Sequence, residues 1–138
     1  MSREHRVLLV EDDEGLRYAM RIALERAQLT VDVAVDGREA VHALNSSPGL
    51  YCCVVLDMLL PSIHGSSIVT HIARVAPRLP VVAVTGFPDR VLFSDPADRH
   101  VVKAIFAKPI EPSDVAAYVS SRCARDCAEA DREAERGA

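Results

Sequence analysis

Three short segments of the chain are almost entirely apolar, and they constrain the fold more than any other feature. They read VLLV at 7–10, CCVVL at 52–56 and VVAV at 81–84. A strand with apolar residues on both sides needs cover on both faces, which is typical of a parallel sheet flanked by helices. The sequence therefore predicts an α/β fold.

Helix-length segments alternate with these strands. Apolar residues recur at helical spacing in 14–27, in 38–44 and from Gly65 to Pro77, where proline ends the pattern. Two further strands are expected at 30–35 and, more weakly, at 104–107. Five strand–helix repeats with right-handed crossovers predict a doubly wound five-stranded parallel sheet, with its ligand site outside the carboxyl ends of the strands.

The last part of the chain is less regular. Pro88 and Pro96 fall in the fourth helical segment, so we expect a short or broken helix there. A chain of 138 residues fits one domain. We expect that domain to occupy residues 1–122, and 123–138 to form the end of the last helix and a polar tail that frays, with no output domain.

Net charge and the length of the apolar runs argue against nucleic acid and membranes as direct partners. Sixteen basic residues against twenty acidic ones give a net charge of −4, so the chain has no basic field for nucleic acid. No apolar run approaches the roughly 20 residues that span a bilayer. We expect a cytoplasmic protein that binds neither nucleic acid nor membrane directly.

The four cysteines do not form a disulfide framework. Cys52 and Cys53 are neighbours, and Cys123 and Cys127 are one helical turn apart. This spacing favours reduced thiols over the spaced pairs of secreted domains. A zinc site is not expected, because two more ligands would have to come from elsewhere in the fold.

Polar side chains follow four of the five strands. Because parallel strands end at the same edge of a sheet, we expect these residues to lie together. Each alone has a simpler explanation: Asp12 or Asp13 could cap a helix, and Lys108 could be a solvated lysine. Four such features at four strand ends favour a site. The residues are Glu11, Asp12 and Asp13, then Asp57, then Thr85 and Gly86, then Lys108.

The chemistry of this set points to phosphoryl transfer. Clustered carboxylates repel one another unless a cation lies among them, and oxygen ligands suit Mg²⁺. A carboxylate beside that ion, as Asp57 would be, can act as a nucleophile toward phosphorus. Lys108 and the Thr85 hydroxyl would then stabilise the charge on the transferring oxygens.

These motifs resemble the receiver domain of bacterial two-component response regulators from Arg6 to about Arg122. The matching segments read VLLVEDD, VVLDMLLPSIHG, VVAVTG and FAKPI. The resemblance implies a flavodoxin-like sheet of strand order 2-1-3-4-5. It also implies that Asp57 is the phosphoacceptor, and that Asp12 binds Mg²⁺ directly and Glu11 through water. The remaining implied contacts are the Leu59 carbonyl on the metal, and Thr85, the Gly86 amide and Lys108 on the phosphoryl oxygens.

The resemblance also implies a function. A sensor histidine kinase or phosphotransfer protein would donate the phosphoryl group to a stand-alone receiver. This receiver would signal to a downstream protein target, or through a homodimer formed by its fourth helix, fifth strand and fifth helix. It would not be an enzyme beyond catalysing its own phosphorylation and hydrolysis. The alternative is a receiver-like adaptor that acts without phosphorylation.

Two departures from the family pattern bear on mechanism. The usual aromatic residue three places before the lysine is replaced by Ile105, and Phe106 next to it faces the other side of a regular strand. Leu59 and Phe87 occupy the positions that flank the route of the hydrolytic water in this family. Because apolar side chains cannot orient water, we expect slow autodephosphorylation.

Two other protein classes fit less well. Phosphatases of the haloacid dehalogenase class need a second aspartate where Leu59 stands. Flavodoxin-like electron carriers need a phosphate-binding loop after the first strand, and the acidic residues 11–13 would repel that phosphate.

Overall fold

The computed structural model describes residues 4–47, 49–61, 63–90, 93 and 95–137. Five parallel strands form one sheet in the order β2-β1-β3-β4-β5. The predicted fold class and strand order are therefore confirmed. The strands are β1 (Arg6–Val10), β2 (Thr30–Ala34), β3 (Cys53–Asp57), β4 (Val81–Thr85) and β5 (Val102–Ala107).

Helices cover both faces of the sheet. In the part of the chain that the structure describes, α2, α3 and α4 pack on one face, and α1 and α5 pack on the other. None of these helices has an apolar stretch long enough to cross a bilayer. They are α1 (Glu14–Arg26), α2 (Gly37–Ser46), α3 (Gly65–Val75), α4 (Pro96–Val101) and α5 (Pro112–Gly137).

The apolar strands owe their composition to this double cover. In β1, Leu8 and Val10 pack with α2 and α3, whereas Val7 and Leu9 pack with α1 and α5. Every residue of β3 and β4 is buried as well. Polar residues therefore appear only where these strands end.

The fourth helical segment is short, as its prolines predict. A single 3₁₀ turn at Pro88–Arg90 is followed by α4, which has only six residues. Asp95 caps α4 by accepting a hydrogen bond of 2.8 Å from the Ala97 amide, and Pro96 occupies the first turn, where its missing N–H costs no helical bond.

β5 begins at Val102, two residues earlier than predicted, and its first pairs are irregular. Val81 pairs with Val102 and Val82 with Ala104, so Lys103 is an extra residue in a bulge. Periodicity alone does not reveal such an insertion.

Beyond the bulge, Ile105 and Phe106 face opposite sides of the sheet. The Phe106 ring packs edge-on against Tyr118 of α5, with ring centroids 6.0 Å apart. Ile105 is 43% exposed. Phe106 is therefore partly buried against the core on the α5 side, and the exposed residue at position 105 is the aliphatic Ile105.

The final helix includes the segment expected to form a polar tail. α5 continues to Gly137. Arg122 pairs with Asp126 one turn later at 3.1 Å, and Glu133 lies 3.3 Å from Arg78, which precedes β4. Charged pairs thus replace the apolar stripe that ends at Cys123.

The segment after β3 is held against the start of α3 by Gly65. The Gly65 amide donates a 3.2 Å hydrogen bond to the Met58 carbonyl, and an added Cβ would lie 2.6 Å from the Met58 Cα. We expect Gly65→Ala to lower the free energy of unfolding by about 1–3 kcal/mol through overpacking, measured by urea denaturation.

Gly49 is the matched control, because a Cβ added there meets no atom within 4 Å. Gly49→Ala should change the free energy of unfolding by less than about 1 kcal/mol. Equal stability of the two variants would show that the close approach at Met58 relaxes without cost.

Candidate functional site

The acidic segment after β1 divides into three roles. Glu11 is 3% exposed, and its Oε2 accepts a 3.0 Å hydrogen bond from the Asp12 amide. Asp12 is exposed to solvent. Asp13 caps α1 by accepting a 2.7 Å hydrogen bond from the Leu16 amide. Of the two capping candidates, Asp12 and Asp13, the structure therefore shows Asp13 as the cap.

Asp57 is the last residue of β3 and is 3% exposed. Its Oδ1 accepts a 3.0 Å hydrogen bond from the Leu59 amide, and its Oδ2 accepts one of 3.2 Å from Lys108 Nζ. One buried carboxylate is thus oriented by two donors from different parts of the chain.

Lys108 forms ion-pair contacts with acidic residues at the ends of two strands, β1 and β3. Its Nζ lies 3.2 Å from Asp57 Oδ2 and 3.4 Å from Glu11 Oε1. Its amide donates a 2.8 Å hydrogen bond to the Thr85 carbonyl, which fixes the backbone beside β4. The ammonium group therefore lies where the ends of β1, β3 and β5 meet.

Thr85 ends β4 and is buried. Its Oγ1 accepts a 3.0 Å hydrogen bond from the Phe87 amide, and the hydroxyl can still donate its own proton. Gly86 is exposed, and a Cβ added there would meet no atom within 4 Å. Position 86 therefore does not need glycine for space, and its relevant group is the backbone amide.

Three carboxylates form the one candidate metal cluster among the described residues. Oxygen atoms of Glu11, Asp12 and Asp57 lie within 4.8 Å of one another. Hard oxygen donors from an exposed and two buried carboxylates fit Mg²⁺, which keeps several waters in its shell. The role of the Leu59 carbonyl stays a prediction, since the contact seen at that residue is made by its amide.

Burial and neighbouring charges shift the pKa values of Glu11, Asp57 and Lys108. Burial and the hydrogen bond with Asp57 raise the pKa of Glu11 to about 8, although the Lys108 ammonium acts in the opposite direction. Burial alone would raise the pKa of Asp57, but hydrogen bonds from Glu11, the Leu59 amide and Lys108 lower it below its ordinary value. The pKa of Lys108 is raised, since its two carboxylate partners outweigh its burial. Below about pH 8 these shifts favour a protonated Glu11 beside an ionised Asp57.

Arg17 also contributes to the site, although its role was not predicted from the sequence. Its Nη1 donates hydrogen bonds to the carbonyl oxygens of Glu11, at 3.0 Å, and of Asp12, at 3.2 Å. The guanidinium group thus fixes the backbone of the acidic segment. Nothing in the spacing distinguishes this arginine from the others of an arginine-rich chain.

The predicted residues meet at one edge of the sheet. Direct contacts join Glu11, Asp57 and Lys108, and Thr85 is tied to Lys108 through the backbone. Asp12 joins them through the carboxylate cluster.

Comparison with known proteins gives a consistent picture. The family profile described as "Response regulator receiver domain" matches residues 7–120. The transcription factor prr1 of Schizosaccharomyces pombe is 37% identical over 85 residues, which cover 62% of this chain and 15% of that protein. The transcriptional regulatory protein SrrA of Staphylococcus aureus is 27% identical over 125 residues, 88% of this chain and 48% of that protein. The chain thus spans less than half the length of these curated relatives.

Solved structures show the same fold. A response regulator receiver domain protein from Clostridium thermocellum superposes with a TM-score of 0.77 at 20% identity, over 88% of this chain and 95% of that one.

The raised pKa of Glu11 should make the stability of the chain depend on pH in buffer with a chelator. Because the pKa of Glu11 rises from 4.5 to about 8 on folding, the folded chain binds the extra proton, and stability falls as pH rises between these values. We expect the free energy of unfolding to drop by at least about 1 kcal/mol from pH 5 to pH 8, and Glu11→Gln to remove that drop. Asp57 shifts in the opposite direction, so its contribution is lost only below this window.

Urea denaturation at each pH measures this difference. Glu14→Gln, an exposed glutamate in the first turn of α1, is the control and should keep the slope of the unaltered chain. A slope that survives Glu11→Gln would assign the pH dependence to other groups.

Proposed function

The chain belongs to the response regulator receiver family, and on that premise we propose that it accepts a phosphoryl group on Asp57. The observation that carries this proposal is the buried Asp57 carboxylate, held 3.2 Å from the Lys108 ammonium and within the acidic cluster of Glu11 and Asp12. A nucleophilic carboxylate with a cation beside it suits phosphoryl transfer, where catalysis consists of positioning and charge stabilisation.

The donor would be a phosphohistidine of a sensor histidine kinase or a phosphotransfer protein. An Asp57 carboxylate oxygen attacks phosphorus, the bond between phosphorus and the imidazole nitrogen breaks with its electron pair staying on nitrogen, and a neutral imidazole leaves because its other ring nitrogen already carries a proton. Lys108, the Thr85 hydroxyl and the Gly86 amide stabilise charge on the phosphoryl oxygens. The Leu59 amide holds the carboxylate in orientation during the attack.

Glu11, Asp12 and Asp57 would hold Mg²⁺ together with the Leu59 carbonyl. When bound, the ion offsets the negative charge of the carboxylates and of the incoming phosphoryl group. Because the pKa of Glu11 is raised to about 8, a bound Mg²⁺ would favour its ionised form, and the Arg17 guanidinium holds the backbone of the acidic segment.

Phosphorylation would change the contacts of Lys108. The ammonium now lies between Asp57 and Glu11, and a phosphoryl group on Asp57 supplies new acceptor oxygens at that place. Because the Lys108 backbone is bonded to Thr85, a shift of this lysine acts on β4 and β5 together. A partner that binds the shifted arrangement better would stabilise it, which is how phosphorylation becomes a signal.

We further propose that the chain works as a cytoplasmic, stand-alone receiver and not as an enzyme. Its output would then be contact with a downstream protein, or a homodimer through α4, β5 and α5. One observation favours a second candidate, an adaptor that works without phosphorylation. With Ile105 at the surface and Phe106 packed on Tyr118, β5 has no aromatic side chain at position 105 to respond to the acceptor site.

Phosphorylation of Asp57 can be tested with acetyl phosphate and Mg²⁺. Intact mass should show one phosphoryl adduct on the unaltered chain and none on Asp57→Asn, because the amide lacks the nucleophilic oxygen. Asp13→Asn is the matched control, since asparagine also caps a helix and Asp13 lies outside the acidic cluster. An adduct that persists on Asp57→Asn would place the acceptor elsewhere, and no adduct on the unaltered chain would favour the adaptor.

The lifetime of the phosphoryl group on Asp57 tests whether two apolar side chains, Leu59 and Phe87, slow its hydrolysis. Leu59 is 55% exposed and Phe87 is 52% exposed, and neither side chain can orient a water molecule. We expect hydrolysis to take many minutes, and the double variant Leu59→Asn, Phe87→Gln to accelerate it at least about tenfold by supplying groups that hydrogen-bond water.

Decay of the adduct, followed by mass after acetyl phosphate is removed, measures this lifetime. Leu50→Asn alters a similarly exposed leucine, 45% exposed, that precedes β3 at the opposite end of the sheet, and it should leave the rate unchanged. A lifetime of seconds for the unaltered chain would contradict the expectation.

A further inference from the structure

A second pair of reactive side chains lies at the opposite end of the sheet from Asp57. Cys52 directly precedes β3 and His5 directly precedes β1. The Cys52 sulfur is 3.6 Å from Nδ1 of His5, a distance at which the thiol can share its proton with the ring.

The backbone holds this pair in place. The Cys52 amide donates a 2.7 Å hydrogen bond to the Arg6 carbonyl, and the Thr30 amide donates one of 2.8 Å to the His5 carbonyl. Both residues are thereby fixed in the register of the sheet. The approach of sulfur to imidazole therefore follows from the pairing of β1 with its neighbours.

The two other cysteines whose side chains the structure describes are enclosed. Cys53 and Cys123 are both 0% exposed and belong to the apolar core on the α1 and α5 side of the sheet. Cys52 is half-buried and lines an open groove of about 980 Å³, which Tyr51, Lys103 and Arg122 also line. Among these three cysteines, Cys52 alone is partly exposed and borders a groove, although it also packs against the same core.

We propose that Cys52 is a thiol-modification site that exchanges with low-molecular-weight disulfides such as glutathione disulfide. Nδ1 of His5 takes the thiol proton, and the Cys52 thiolate attacks one sulfur of the disulfide. A mixed disulfide forms on Cys52, the original S–S bond breaks, and the second half leaves as a thiolate that takes up a proton. The incoming disulfide is the oxidant, so the exchange needs no other reagent.

The test uses the full chain and glutathione disulfide, with adducts followed by intact mass. All proteins carry Cys127→Ser, so that only the three thiols considered above remain. We expect a single glutathionyl adduct that Cys52→Ser abolishes and Cys53→Ser preserves. His5→Gln should slow adduct formation at least about tenfold, because the proton acceptor is lost.

Two further measurements separate reactivity from folding. Far-ultraviolet circular dichroism of each variant should match that of the unaltered chain, and thiol labelling in 8 M urea should modify three thiols in the Cys127→Ser and His5→Gln proteins and two in Cys52→Ser and Cys53→Ser. An adduct that persists on folded Cys52→Ser, or a folded His5→Gln that reacts at the original rate, would overturn the proposal. None of these readouts depends on phosphorylation of Asp57.

Discussion

One ammonium group lies between two buried carboxylates at the point where three strands end, and the rest of the site depends on this arrangement. Without Lys108, Asp57 and Glu11 would be two acidic groups buried side by side, with no cation to offset the charge of the ionised Asp57. Because Glu11 follows β1, Asp57 ends β3 and Lys108 follows β5, this electrostatic balance exists only when the sheet has formed in its observed order. Folding and site assembly are therefore the same event.

Much of this could be predicted from the sequence, because the constraints there are local and strong. Strands such as 7–10 and 81–84 tolerate no polar residue, so the first polar residue after each marks both a strand end and a member of the site. Glu11 after β1 and Thr85 at the end of β4 are predicted as site residues for this reason. The strand order was inferred from the resemblance to receiver domains, because the periodicity of apolar residues does not indicate which strands pair.

The features that were missed arise from contacts between distant parts of the chain. The bulge at Lys103 depends on how β5 meets β4, and no local pattern encodes it. Arg17 donates hydrogen bonds to two backbone carbonyl groups, and every residue type supplies such a group, so the sequence does not indicate this contact. His5 and Cys52 are 47 positions apart and become neighbours only through the register of β1 with β3.

The length of α5 gives one continuous helix two different stabilities. At 1.5 Å per residue its 26 residues extend about 39 Å, whereas a five-residue strand spans only about 17 Å. Val115, Val119 and Cys123 anchor the first half in the core, and none of the described side chains after Cys123 is buried. The second half rests on surface ion pairs, which dissolved salt screens. Backbone amides of the first half therefore exchange with solvent only when the domain opens as a whole, while those near the carboxyl end exchange through local unwinding that rises with ionic strength.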